Sequence, residues 1–378
     1  MHPGGLADAH LHFSDAAQAP ALAGYCRRFG LTGLGMVSLP DLTRLNFNPE
    51  SAYGKAVLPD LVEQLAVYAF GGFDYSALFH DAEDEELDLA EQVRTLAALG
   101  FDGLKLWAGK PHLQARTGLR LDDPVYTAAF REAARHGMPA VIHLADPPSF
   151  WSGEVGGINA ELGIDYRAPG VPSFEELQRQ AEAICELNPE TIFIFAHLLF
   201  RAGDLPGLGT FLERHPNARL DLAPGLYFYG ELSRRREEAR AFFDSFRDRI
   251  LYGTDGFWFA GHHTQWPRRS PEENATAAKR LLDFLRTDEE FDNPFEPGRE
   301  ELPRVSGLAL PREVLDSVLR ENLRRLCGDS PAPLDPAALD PYLAHFLERL
   351  RSVGADERDI ESVRAIRQEL RTRKDGGN

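Results

Sequence analysis

Residues 5–13 have the sequence GLADAHLHF, in which Asp8, His10 and His12 interrupt an apolar run at every second position. Such alternation is typical of a β-strand, so we predict that the three polar side chains point to one face. Seven further strand-like runs follow along the chain: LTGLGMVSL (31–39), VYAFGGFD (67–74), FDGLKLWAG (101–109), MPAVIHLAD (138–146), ETIFIFAHL (190–198), NARLDLAP (217–224) and DRILYGTDG (248–256).

A segment of helical character follows each of these strands. The predicted helices lie at or near residues 15–30, 60–66, 81–100, 123–137, 173–188, 204–215, 231–246 and 270–286. Eight strands that alternate with helices predict an α/β fold of the (β/α)8 TIM-barrel type. An open doubly wound sheet would also alternate, but no GxGxxG follows the first strand.

The chain beyond the eighth strand is predicted to differ in character from the barrel. We expect an irregular surface loop over residues 287–310, then one helix over residues 310–328. The composition shifts to Pro, Ala and charged residues at 331, with two more helical stretches. We therefore divide the chain into a barrel domain, 1–330, and a helical C-terminal extension, 331–378, which covers the barrel surface or a partner subunit.

Charge and cysteine content narrow the classes of function. Lys and Arg number 41 and Asp and Glu number 59, which gives a net charge of −18. This balance argues against non-specific binding to nucleic acid or to anionic membranes. The three cysteines lack any CxxC pattern, and no stretch resembles a signal peptide or a membrane span of about 20 apolar residues. We expect a soluble cytoplasmic protein.

Ionisable residues stand late in several of the apolar strands. His143, His197 and Asp255 end the fifth, sixth and eighth strands, and the C-terminal ends of barrel strands meet at one mouth. Buried imidazoles and carboxylates need partners, and one divalent cation can serve several of them. The expected ligands are His10, His12, His143 and Asp255, which leaves an open position for water. Each residue taken singly could have a purely structural role, such as a hydrogen-bonded core histidine. Their shared position at the ends of different strands favours a metal site instead.

Lys105 is predicted to point into the barrel, because the leucines on either side of it should face the helices. Three roles remain open for it. Its ammonium could bind a substrate carboxylate, it could be carbamylated and bridge two metal ions, or it could pair structurally with a carboxylate such as Asp221.

Four motifs resemble the amidohydrolase superfamily, in particular its branch with aminocarboxymuconate semialdehyde decarboxylase-like enzymes and TIM-barrel lactonases. They are DAHLHF (8–13), VIHLADPPSFW (141–151), IFAH (194–197) and LYGTDG (251–256), and the resemblance covers roughly residues 5–328. It implies a mononuclear site, most often zinc with Mn²⁺ as the alternative, ligated by His10, His12, His143 and Asp255. It also implies that His197 activates water or positions the substrate. A binuclear site would use Lys105 and His197 as well.

The first hypothesis is a metal-dependent hydrolase of a C–O or C–N bond (lactone, ester or amide) in a small, anionic substrate, with His197, Asp255 and Lys105 as catalytic residues. A metal-dependent decarboxylase, hence a lyase, is the alternative, and a non-catalytic scaffold is a third hypothesis. Family habit and the helical tail favour a homodimer or larger assembly. Loop residues that could select the substrate are Lys110, His112, Arg116, Trp151, Tyr166, Arg167, Tyr227, Tyr229, Trp258, His262, His263 and Trp266.

Overall fold

The computed structural model describes residues 4–39, 45–78, 87–152, 166–224, 228–259, 269–292 and 304–376. Its strands are β1 Leu6–Phe13, β2 Leu31–Val37, β3 Ala66–Gly71, β4 Gly103–Gly109, β5 Ala140–Leu144, β6 Phe193–Phe195, β7 Ala218–Asp221, β8 Ile250–Leu251, β9 Gly256–Trp258, β10 Glu290–Asp292 and β11 Arg304–Ser306. The first nine form one parallel sheet, and the last two pair antiparallel.

The helices in chain order are α1 Ala19–Phe29, α2 Asn48–Leu61, α3 Leu89–Leu99, α4 Pro111–Thr117, α5 Pro124–Arg135, α6 Phe174–Leu187, α7 Leu205–Arg214, α8 Phe228–Arg234, α9 Arg236–Ser245, α10 Pro271–Arg286, α11 Arg312–Asp316, α12 Asn322–Cys327, α13 Pro336–Ser352 and α14 Glu357–Gly376. One π-helical turn, Ser317–Glu321, joins α11 to α12. Gly30, at φ 65°, ends α1 as the predicted left-handed cap.

The sheet closes on itself through one stretch of chain. Its strand order runs from β8 through β7 and so on to β1 and then β9, so both edges belong to residues 250–258. Between β8 and β9, the Ala9 N–H donates to Tyr252 O (2.8 Å) and the Asp255 N–H donates to His10 O (2.9 Å). These bonds continue the ladder across the seam. The predicted TIM barrel with C-terminal helices is confirmed.

Apolar side chains fill the lower part of the barrel. They form a buried cluster of their own, separate from the larger core between sheet and helices. The interior cluster comprises Ala7, Ala9, Val37, Tyr68, Phe70, Val141, Ile194, Leu251 and Leu323. Leu323 comes from α12, so the C-terminal part of the barrel domain contributes to its interior. The polar residues described below lie above this apolar floor, toward the C-terminal ends of the strands.

The prediction that Asp8, His10 and His12 share one face is wrong. The pairing of β1 with β2 shifts register between Asp8 and Leu11, which marks a bulge or irregularity in the strand. Ala7 and Ala9 belong to the interior cluster, whereas Asp8 lies 3.4 Å from the hydroxyl of Tyr25 on α1. Strict alternation is therefore lost within β1, and His10 and His12 reach the interior beyond the irregularity.

Three predicted connections also need correction. The helix expected near 60–66 lies earlier in the chain: it is α2, which spans Asn48–Leu61. Gly54 and Pro59 within α2 have low helix propensity and so weaken the sequence pattern that would have predicted it. The single helix expected over 231–246 is two helices, α8 and α9. The loop expected over 287–310 contains the β10–β11 ladder, in which Phe291 pairs with Val305.

The tail packs along α2 and α3. The Tyr342 hydroxyl of α13 accepts a hydrogen bond from Asn48 Nδ2 (3.3 Å) at the start of α2. Arg373 of α14 donates to Asp60 (2.8 Å) near the end of α2. These contacts place the extension against the barrel of its own chain, and the domain boundary at 330/331 stays a prediction. No helix in the described part of the chain is long and apolar enough to cross a membrane.

Several strand ends carry non-glycine residues in the left-handed region. Ala145 after β5 has φ 66°, Asp255 before β9 has φ 48°, and the four residues His197–Phe200 after β6 have φ between 51° and 58°. Left-handed conformations cost a residue with a Cβ roughly 1–2 kcal/mol each. Backbone strain of this kind often accumulates at functional sites, where surrounding contacts hold it in place.

We predict that Asp102→Ala lowers the free energy of unfolding by about 3–5 kcal/mol, because it leaves a buried ammonium without its partner. The Asp102 carboxylate accepts hydrogen bonds from Lys55 Nζ (2.5 Å), from Ala69 N (2.7 Å) and from Ala332 N (2.7 Å), and so links the barrel to the tail. The matched control is Asp283→Ala, which removes an exposed pair with Lys279 and should cost less than about 1 kcal/mol. Denaturant unfolding measures both, and equal losses would contradict the prediction.

A second pair of substitutions tests the strain at Ala145. Ala145→Gly and Ala129→Gly each delete a fully buried methyl group, but Ala129 lies in α5 with helical geometry. Since only the first substitution releases a positive φ, it should destabilise the protein by about 1–2 kcal/mol less than the second. Equal changes in chemical denaturation would show that Ala145 is not strained.

Candidate active site

Four imidazoles form a row across the mouth of the barrel. The ring centroids of His12 and His10 are 5.1 Å apart, those of His10 and His197 5.6 Å, and those of His197 and His143 4.7 Å. They come from β1, β5 and the turn after β6, so the barrel brings together residues that are distant in sequence. The predicted convergence of these strand ends is thus present.

His10 is held by the carboxylate at the end of β7. Its Nδ1 lies 2.7 Å from Asp221 Oδ2, and both side chains are 1% exposed. Burial raises the pKa of Asp221, but the contacts with His10 and His197 together lower it below its usual value. An ionised carboxylate only accepts, so His10 carries its proton on Nδ1 and presents an electron pair at Nε2.

His12 is oriented by the backbone of β2. Its Nδ1 lies 2.8 Å from the carbonyl oxygen of Val37, which can only accept a hydrogen bond. The Nε2 electron pair therefore faces Asp255 Oδ1 at 3.1 Å. Burial lowers the pKa of His12, which favours the neutral ring. In the neutral ring, His12 Nε2 and Asp255 Oδ1 are two acceptor atoms that face each other.

The donor atoms of His10, His12 and Asp255 fit a metal ion. One ligand atom from each lies within 4.8 Å of the other two. Both imidazoles offer Nε2, and each is fixed through Nδ1 by an acceptor behind it, as in many protein metal sites. A cation between His12 Nε2 and Asp255 Oδ1 would resolve their acceptor–acceptor contact. These residues could hold a divalent ion.

His197 and His143 form the next pair in the row. His197 Nδ1 donates to the Ala223 carbonyl oxygen (2.9 Å), so its Nε2 accepts from His143 Nδ1 (3.1 Å). His143 is then left with an electron pair on Nε2, which makes it a nitrogen donor of the same kind as His10 and His12. Its Nε2 lies 3.4 Å from Asp146 Oδ1. His197 therefore lies between His143, the expected fourth ligand, and the group formed by His10, His12 and Asp255.

The carboxylate of Asp146 collects contacts from the neighbouring loops. Lys110 Nζ lies 2.7 and 2.9 Å from its two oxygens, and the Tyr166 hydroxyl donates to Oδ2. Burial opposes its ionisation, but Lys110 and His143 together lower the pKa of Asp146. The Tyr166 ring stacks on His112 with centroids 6.3 Å apart. Lys110, predicted from the sequence as a pocket residue, is thus already ion-paired.

Lys105 lies inside the barrel, as the strand alternation predicts. It is 1% exposed, and its Nζ lies 3.1 Å from His10 Nε2. Burial lowers the pKa of Lys105 to about 8. The Asp221 carboxylate hydrogen-bonds to His10 and to two backbone N–H groups, while Lys105 contacts His10. Its ammonium therefore stands directly beside the candidate metal group.

Aromatic side chains form one wall beside His12. The His12 ring stacks on Phe257 with centroids 5.3 Å apart, and Phe259 lies 6.3 Å from it. Both phenylalanines belong to a small apolar cluster with Leu39 and Phe47, against which Trp107 packs. These rings give the site an apolar surface beside His12.

The other loop residues predicted from the sequence divide into three groups. Trp258 and Tyr229 are at most 1% exposed and pack in the core, against Tyr25 and Phe284 respectively, so they do not line a pocket. Arg116 and Arg167 are exposed, and Trp151 packs on Tyr166. Tyr227, His262, His263 and Trp266 lie outside the described residues.

Two carboxylates of this site have roles that were not predicted. From the sequence, Asp221 is expected only as a partner for Lys105, and Asp146 has no expected role. Asp221 could have been found, because it ends an apolar strand exactly as His197 and Asp255 do. Asp146 follows its strand by two residues, and only the left-handed turn at Ala145 directs it back toward His143.

A family model described as Amidohydrolase matches residues 7–328, whereas no curated protein matches the chain significantly. Similar solved structures include a probable 2-pyrone-4,6-dicarboxylic acid hydrolase from Acinetobacter baumannii (12% identity, 87% of this chain and 100% of that chain, TM-score 0.43). A second is 2,6-dihydroxybenzoate decarboxylase from Rhizobium (13% identity, 85% of this chain and 98% of that chain, TM-score 0.48). A third is 5-carboxyvanillate decarboxylase from Sphingomonas paucimobilis (13% identity, 80% of this chain and 81% of that chain, TM-score 0.41). Because the family model spans nearly the whole barrel, the chain belongs to the amidohydrolase family.

Proposed function

We propose that the protein is a metal-dependent enzyme that hydrolyses a C–O or C–N bond, in a lactone, ester or amide, of a small carboxylate-bearing substrate. One observation carries the proposal: the His10, His12 and Asp255 donor atoms lie within 4.8 Å of one another, and the Nε2 atom of His12 lies 3.1 Å from Asp255 Oδ1, where a neutral ring has no proton to donate. That arrangement calls for a cation. We propose His143 as the further ligand, since its Nε2 is also unprotonated when its Nδ1 donates to His197.

A divalent ion held here would polarise a carbonyl group and ease deprotonation of water. Zn²⁺ is the first candidate, since it suits imidazole and carboxylate ligands, and Mn²⁺ is the second. The residues themselves supply the remaining functions. The Asp255 carboxylate can accept a proton from water. His197 Nε2, which here accepts from His143, would be a second acceptor once that hydrogen bond opens. The Lys105 ammonium can bind the substrate carboxylate.

The same residues would also serve a decarboxylase. Lys105 beside His10 could hold a carboxylate that leaves as carbon dioxide as readily as one that stays on the product. The two reactions differ in what they release: hydrolysis forms a new carboxylate together with an alcohol or amine, and decarboxylation releases carbon dioxide. Product analysis on lactones, amides and carboxylated aromatics therefore separates them. A cytoplasmic location and a homodimeric or larger assembly stay predictions.

Metal content is the first test of the site. Protein purified without added metal should contain about one equivalent of zinc or manganese per chain by elemental analysis, and Asp255→Ala should lose it. The control is Asp244→Ala, which removes an exposed carboxylate paired with Arg247 and should keep the metal. About two equivalents would instead support a carbamylated Lys105 as a bridge. No metal, with none regained on addition, would exclude the proposed function.

His197→Ala tests the division between ligand and catalytic residue. The imidazole contacts His143 and Ala223 and lies outside the group formed by His10, His12 and Asp255. We expect the variant to retain its metal while turnover falls by at least about 100-fold, the usual contribution of a positioned acid or base. Metal analysis and steady-state kinetics measure the two effects. Loss of metal along with activity would make His197 a ligand.

A further inference from the structure

The two oxygens of Asp221 serve different partners. Oδ1 accepts hydrogen bonds from the backbone N–H groups of His197 (2.9 Å) and Ala223 (3.0 Å). Oδ2 lies 2.7 Å from His10 Nδ1. The carboxylate is 1% exposed, so these protein groups replace water as its partners. One oxygen thus supports the left-handed turn after β6, and the other contacts an imidazole of β1.

We propose that Asp221 is a positioning residue that fixes His10 in the tautomer with its proton on Nδ1 and its electron pair on Nε2. The inference deepens the proposed function, on which its consequence for metal binding rests, because His10 is one of the proposed ligands. Asp221 acts through His10 and need not touch the metal or the substrate.

The two shortest polar contacts of the His10 ring favour this tautomer. The side chain is 1% exposed and lies between the rings of His12 and His197. On the far side, the Lys105 ammonium donates toward Nε2 at 3.1 Å and lies closer to it than the Asp255 Oδ1 acceptor at 3.6 Å. A proton on Nε2 would face that donor, and an electron pair on Nδ1 would face a carboxylate. Both neighbours therefore favour the same tautomer.

An asparagine at this position would reverse the preference. The two backbone N–H groups require an acceptor at the place of Oδ1, so the amide oxygen would occupy it and the amide NH₂ would face His10 Nδ1. His10 would then accept at Nδ1 and move its proton to Nε2, where it could no longer donate an electron pair to a metal. The substitution keeps the shape of the side chain and the support for the turn.

Two neighbouring imidazoles provide internal controls. His12 Nδ1 donates to Val37 O and His197 Nδ1 donates to Ala223 O, so both have the same tautomer as His10. Their acceptors are backbone carbonyl groups, which the substitution does not alter. A change confined to His10 therefore identifies the effect of the Asp221 carboxylate itself.

The test uses metal-free full-length protein labelled with ¹⁵N at histidine, in which long-range ¹H–¹⁵N correlation shows which ring nitrogen carries the proton. In the wild type we expect His10 to be protonated on Nδ1. In Asp221→Asn we expect the proton on Nε2 of His10, with His12 unchanged. A wild-type His10 protonated on Nε2, or an Asp221→Asn protein with the wild-type tautomer, would overturn the inference. If the variant does not fold, the wild-type spectrum alone decides.

Zinc affinity, measured by chelator competition, links the tautomer to the site. Asp221→Asn should weaken zinc binding by about 10–100-fold, the usual effect of losing the partner of a ligating histidine. Asp335→Asn makes the same chemical change at an exposed helix cap that accepts from Ala337 N, and should change neither tautomer nor affinity. An inverted tautomer with unchanged zinc affinity would contradict the ligand role of His10 but sustain the inference. A wild type that binds no zinc would contradict the proposed function alone.

Discussion

The Asp8 carboxylate ties the first strand of the barrel to the last. Its oxygens accept hydrogen bonds from the Thr254 hydroxyl (2.6 Å) and the Thr254 N–H (3.1 Å), beside the two backbone bonds that cross the seam. Burial raises the pKa of Asp8 to about 7, so the folded state bears a cost for this group that the hydrogen bonds only partly offset. In return, Asp255, the next residue after Thr254, is brought to His10 and His12.

The seam requires an irregular backbone, and glycine makes it sterically feasible. A Cβ at Gly35 would lie 2.6 Å from the Ala9 carbonyl oxygen, and one at Gly253 would lie 2.7 Å from the Cβ of His10. Both distances are too short for any other residue without displacement of the strand. The irregular part of β1 is therefore enclosed by close backbone approaches on both sides. Regular strands form the apolar lower part of the barrel. The register shift in β1 and the left-handed residues at the strand ends direct the polar side chains toward its mouth.

This division explains what could be predicted from the sequence. The eight strands and the grouping of His10, His143, His197 and Asp255 at one mouth follow from periodicity, because regular strands in a closed parallel barrel end on one side. The outward turn of Asp8 could not be foreseen, since it depends on a register shift that only pairing with β2 reveals. The left-handed turn at His197 could not be predicted from the sequence either. Local conformational preference disfavours it, and it is supported by long-range contacts such as the hydrogen bond from the His197 N–H to Asp221.

Charge pairing at the mouth separates two lysines that look equivalent in the sequence. Lys110 is held by both oxygens of Asp146, so an incoming carboxylate would have to replace an existing buried partner at that lysine. Lys105 instead contacts the imidazole of His10. Asp221 and Asp255 attract its ammonium through their charge, but in the described structure Lys105 forms no hydrogen bond with either carboxylate. Under the proposed function, a substrate carboxylate would therefore gain more by approaching Lys105, which would also bring its neighbouring bonds next to His10. In that proposal, Lys105 and His10 together would set both where the carboxylate binds and where the reaction takes place.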